Sequence, residues 1–142
     1  MKNKTLSVIA LSLAWGAPAH AADYLVTTLA DAGDGSLRRA VESANAAPGA
    51  PHSITFKPGL QGSIALSGPI RIRESMTISG PGADVVALDG GGATRLLHVQ
   101  NANGVRRNVT ISGLAFVRGH GSTDGGNGGA IYAYGDDLRI RD

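Results

Sequence analysis

From Ser53 onwards the chain alternates apolar runs of three to five residues with short polar stretches. The runs begin near Ile54, Ile64, Met76, Val86, Leu97 and Val109, and again near Ala130 and Leu138. The first six starts are 10, 12, 10, 11 and 12 residues apart. Between them lie KPGLQG, SGPGAD, DGGGAT and NANGVR, rich in the Gly, Asn, Asp and Pro that turns require. Within the runs, Ile54 and Phe56, Ile64 and Leu66, Met76 and Ile78, and Val109 and Ile111 stand two apart, the period of a strand with one buried face. The pattern predicts short strands separated by tight turns.

Strands at this spacing fit an antiparallel sandwich or a parallel solenoid. Internal similarity favours the solenoid: MTISGPGA at Met76 and VTISGLAF at Val109 share Thr-Ile-Ser-Gly, and stacked turns place the same demands on equivalent strands. Upstream, one short strand is expected around Tyr24 to Thr28, followed by a helix from about Ser36 to Ala46. Ser36 is its N-cap, and Pro48-Gly49 stops it. Leu37, Ala40, Val41 and Ala44 fall at i, i+3, i+4 and i+7, one apolar stripe. That stripe must cover something, and the open N-terminal mouth of the coil is the expected place.

The first 21 residues change the charge balance. Lys2 and Lys4, an apolar run of ten residues from Leu6 to Trp15, and Ala19-His20-Ala21 form the pattern of a cleaved secretion signal. The run is about half the length a membrane-spanning helix needs. With residues 1–21 removed, the basic residues fall to 11, matching the 11 acidic ones, so the formal charge of +2 disappears. A balanced chain argues against nucleic-acid binding, which needs a basic excess on one face. The pairs Arg38-Arg39 and Arg106-Arg107 are expected to be solvated surface. Without cysteine, there is neither a disulfide nor a thiolate metal site.

Three stretches carry a family resemblance: GSLRRAVESANAAPGAPHSITF, MTISGPGADVVALDGGGATRLLHV and VTISGLAFVRGHGSTDGGNGGAIYAYGDDLRI. Together they resemble the opening of exported bacterial right-handed parallel β-helix proteins, which begin with a CSLREA-type segment and continue in GGAI repeats like those of polymorphic outer-membrane proteins. The resemblance spans nearly all of residues 23–142. It departs at Gly35, where the signature has cysteine, and at Gly119, where the Phe-x-x-Asn element beginning at Phe116 would have asparagine. It implies an all-β fold, a right-handed parallel β-helix with one N-terminal capping helix. The divisions are a signal at 1–21, strand and cap at 22–52, and first turns at 53–142. It also implies a non-enzymatic secreted or cell-surface role in surface interaction or adhesion, with a surface or carbohydrate ligand. The alternative is the N-terminal part of a polysaccharide-acting lyase or hydrolase whose catalytic turns lie elsewhere. Because DLRIRD ends in what should be a strand, the last turn, Ala130 to Asp142, is expected to self-associate through its open edge.

The glycine-rich stretch Gly119 to Gly135 is where chemistry is most plausibly sought. Its second part, GGAI at Gly128 to Ile131, reads as the start of a strand, with Gly128 and Gly129 allowing positive φ and close backbone approach. Its first part is a projecting turn whose His120, Ser122, Asp124 and Asn127 form a candidate ligand loop. A phosphate-binding loop fails, because no lysine follows Lys57. A calcium nonapeptide fails too, since Ala130 and Ile131 fall where the carboxylate belongs. Gly119-His120-Gly121 and Asp136-Asp137 echo polygalacturonase elements but in reversed order, so these aspartates read as residues alternating across a strand edge or sitting in the turn before Leu138 rather than as a catalytic pair. Asp84 and Asp89 lie on either side of a strand and point apart. His52 and His98 are solitary, and His98 is expected to face outward between inward neighbours. No metal or cofactor is implied.

Overall fold

The computed structural model describes residues 20–47, 49, 51–100, 104–121 and 128–142. In order, the elements are β1 (Asp23–Val26), α1 (Leu37–Asn45), β2 (His52–Phe56), β3 (Gly62–Ala65), β4 (Ile70–Ile72), β5 (Met76–Ser79), β6 (Val86–Asp89), β7 (Leu97–Gln100), β8 (Asn108–Ser112), β9 (Ala115–Val117), β10 (Ile131–Tyr134) and β11 (Asp137–Arg141). From β2 on, successive strands go to three sheets in rotation. One sheet has the order β1-β2-β5-β8-β11, the second β3-β6-β9, and the third β4-β7-β10. Every pairing among them is parallel, which removes the antiparallel sandwich.

The register explains the repeated letters. Met76 to Ser79 pair residue for residue with Val109 to Ser112, so the two Thr-Ile-Ser-Gly segments lie on neighbouring strands. Ile54, Ile78, Ile111 and Ile140 stack in one column, and Ile64, Leu88 and Phe116 in another. Ile54, Ile78, Ile111, Ile64 and Leu88 are each at most 1% exposed. Burying a side chain of this size is worth about 1.5–3 kcal/mol, so these columns are the main source of stability. The alternation expected from the sequence holds: Ile54, Phe56, Ile64, Leu66, Met76, Ile78, Val109 and Ile111 are all buried.

The helix forms where the apolar stripe placed it. The Ser36 side-chain oxygen accepts the Arg39 backbone N–H at 3.2 Å, and its hydroxyl donates to the Gly33 carbonyl at 2.7 Å. Leu37, Ala40, Val41 and Ala44 are buried, and α1 packs against β4, β1 and β2. It also covers the free edge of β4, whose backbone groups need partners. The Asn45 amide donates to the Arg71 carbonyl at 2.8 Å and accepts the Arg73 N–H at 2.9 Å. Arg38 donates to the carbonyls of Gly68 and Pro69.

Gly35, which stands where the CSLREA signature has cysteine, has φ +76 and no room for a side chain, because the Thr27 hydroxyl occupies the place of a Cβ. Its carbonyl accepts the backbone N–H of Thr27 at 2.8 Å and of Thr28 at 3.2 Å. His52 is buried and structural. Its Nδ1 accepts the Ala22 N–H at 3.2 Å and its Nε2 lies 2.6 Å from the Ala47 carbonyl, joining the chain before β1 to the end of α1. Two expectations need correction. Gly128 has φ +63, but Gly129 does not lie in the left-handed region; its role is close approach to Gly119, whose own Cβ would fall 2.6 Å from the Ala130 Cα. The arginine pairs are not uniformly solvated either. Arg39 and Arg106 are exposed, whereas Arg38 and Arg107 are drawn into ion pairs with Asp31 and Glu74.

Candidate functional site

Of the four residues in the candidate ligand loop, His120 is exposed, and its backbone N–H is tied to the Thr94 carbonyl at 2.9 Å. Ser122, Asp124 and Asn127 lie outside the described residues. Asp136 lies in the bend before β11, where its Oδ1 accepts the Arg107 N–H at 2.8 Å, whereas Asp137 is the first residue of β11 and pairs with Arg106 at 3.3 Å. Among the described residues, no three His, Asp or Glu side chains converge as a metal site would require, and no helix is long and apolar enough to cross a membrane.

The sheet of β4, β7 and β10 carries a constellation that single-strand reading did not reveal. Ile70, Leu97 and Ile131 stack inward, so the intervening Arg71, His98 and Tyr132 stack in register on the outer face. His98 does face outward as expected, half-buried between its neighbours. Its ring meets Tyr132 edge-on at 5.1 Å between centroids, and the Arg95 guanidinium lies 5.0 Å from the centre of the same tyrosine ring. Both contacts hold Tyr132 in one orientation. Two residues further along come Gln100 on β7 and Tyr134 on β10, paired with each other and Tyr134 66% exposed, while Arg73 follows directly after the end of β4. Arg71 and Arg73 also line a cleft of about 300 Å³ between α1 and β4, together with Arg38, Glu42 and Asn45.

Several carboxylates around this face and on the neighbouring sheet are already committed. Asp31 pairs with Arg38 at 2.6 Å and accepts from the Ser67 N–H at 3.1 Å. Partial burial pushes its carboxyl up, but the hydrogen bonds from Ser67 and Arg38 outweigh burial and hold it below the ordinary aspartate value. Asp89 is lowered by the two-pronged Arg118 guanidinium and by the Gly91 N–H. Glu74 pairs with Arg107 at 3.2 Å. A carboxyl whose pKa is lower folded than unfolded contributes stability that is present above the unfolded value and is lost as pH falls through the folded one. Thermal unfolding midpoints are therefore expected to hold steady from neutrality down to about pH 5 and to fall below about pH 4. Asp31→Asn should flatten part of that fall; an unchanged acid limb in both Asp31→Asn and Asp89→Asn would show that these pairs carry none of it.

No protein-family model matches the chain, and no curated protein matches it.

Proposed function

We propose that this chain is a segment of an exported, right-handed parallel β-helix that serves as a non-enzymatic surface-interaction module of a bacterial cell. The observation that carries the reading is the rotation of strands through three parallel sheets in register, each sheet receiving every third strand. Such stacking gives a rigid rod whose outward side chains repeat at fixed intervals, a scaffold suited to holding an extended ligand. The resemblance to exported proteins with CSLREA-type openings and GGAI repeats supports it, as does the Lys2, Leu6 to Trp15, Ala19-His20-Ala21 pattern of a cleaved signal.

Expression of the full chain in a Gram-negative host, followed by fractionation and mass spectrometry, tests both parts. The expected product is an exported polypeptide beginning at Ala22 that binds intact cells saturably. A cytoplasmic product with Met1 in place, or an exported one with no saturable cell binding, would overturn the proposal.

A further inference from the structure

We infer that the outer face of the sheet formed by β4, β7 and β10 binds an acidic polysaccharide, with the guanidinium groups of Arg71 and Arg73 taking its carboxylates and the Tyr134 ring taking a sugar face. The inference rests on the surface-interaction reading and gives it a ligand chemistry. Arg71 lies on β4 and Arg73 one residue past its end; both are exposed while Ile70, Ile72 and Glu74 are buried, so the same alternation turns both side chains outward. Among the described residues neither lies within ion-pair distance of a carboxylate. Glu42, which lines the same cleft, pairs with Arg39 at 3.8 Å, and Asp31 and Glu74 pair with Arg38 and Arg107. Two unneutralised guanidinium forks side by side are matched to carboxylates, which each fork can hold through paired hydrogen bonds.

The rest of the face gives direction. Successive strands are about 4.8 Å apart, so the column Arg71, His98, Tyr132 spans about 10 Å, the scale of a disaccharide. Running alongside, Arg73, Gln100 and Tyr134 supply a cation, an amide with both donor and acceptor, and an exposed ring with a hydroxyl at its tip. A linear polymer bearing carboxylates and laid across the strands would meet charge, hydrogen bonds and aromatic surface in succession. A neutral glycan would leave both guanidinium groups without their complement. Nucleic acid is disfavoured because tight phosphate binding draws on about 6–10 cationic contacts, and this face offers two free ones on a chain whose exported part is charge-balanced.

The test uses the exported protein and alginate oligomers of defined length, titrated calorimetrically. Wild type should bind saturably, and neutral amylose oligomers should give no signal. R71A/R73A should weaken alginate binding by about tenfold or more, R71K/R73K by less because charge survives without the fork, and Tyr134→Ala by several-fold. All three positions are exposed on the surface, and an unchanged amide fingerprint confirms folding. In wild type alone, arginine Nε–H resonances should shift on adding alginate. Failure of wild type to bind alginate while cell binding persists would overturn this inference and leave the surface reading standing; loss of cell binding as well would remove that reading too. Undiminished binding by R71A/R73A would also overturn it, as would equal affinity for an oligonucleotide of matched charge.

Discussion

Replacing Ile78 by alanine is expected to destabilise the protein by about 3–4 kcal/mol, the cost of removing a large aliphatic side chain from a site that cannot collapse. Ile78 stands mid-column, with Ile54 in register on one side and Ile111 on the other, all three at most 1% exposed. Its side chain meets neighbours above, below and across the interior, so no solvent-facing shift fills the space its loss would leave. Its sequence neighbour Thr77 points outward and is exposed, and Thr77→Ala should stay within about 0.5 kcal/mol of wild type. Urea unfolding of the three proteins is the measurement, with the Ile78→Ala midpoint lower by about 1–2 M. A shift in Ile78→Ala no larger than that in Thr77→Ala would mean that the column does not form the core.

The same geometry explains what could be read in advance. The inward positions of β2, β3, β5 and β8 follow from two-residue alternation, and the parallel pairing of β5 with β8 follows from their shared letters. β4 and β9 are not legible in the pattern because they are three residues long and begin just after Pro69 and Leu114, with too few residues to display a period. The Arg71–His98–Tyr132 column was hidden for a different reason. Each member is ordinary in its own strand, and the turns separating them are of unequal length, so nothing in the spacing of these residues announces their register. Arg38 and Arg107 read as solvated in the sequence because their partners, Asp31 and Glu74, sit in connecting segments 7 and 33 residues away. The CSLREA-type position was unusual by its letter alone, and the structure supplies the cause in the Thr27 hydroxyl against Gly35.

The glycine of the repeated Thr-Ile-Ser-Gly segment is a separate constraint, and Gly80→Ala isolates it. Gly80 lies outside the left-handed region, so alanine is conformationally permitted there. Space is what forbids it. An added methyl would land against the carbonyl oxygen of Gly113, the matching glycine of the adjacent turn, and 2.6 Å from the Leu114 Cγ. The two turns are bonded together at this corner: the Gly80 N–H donates to the Ser112 carbonyl at 2.8 Å and the Gly82 N–H to the Gly113 carbonyl at 3.0 Å. Relieving the clash means separating them and stretching those bonds, so the expected cost is about 2–3 kcal/mol, in the range of other overpacked sites. Gly59 supplies the contrast, with φ +88 and nothing within 4 Å of an added Cβ. There the penalty is conformational alone, about 1 kcal/mol. Thermal or urea unfolding should rank Gly80→Ala below Gly59→Ala in stability, even though only the second residue has positive φ. The reverse order would mean that backbone conformation, not the close stacking of consecutive turns, is what requires glycine in the repeat.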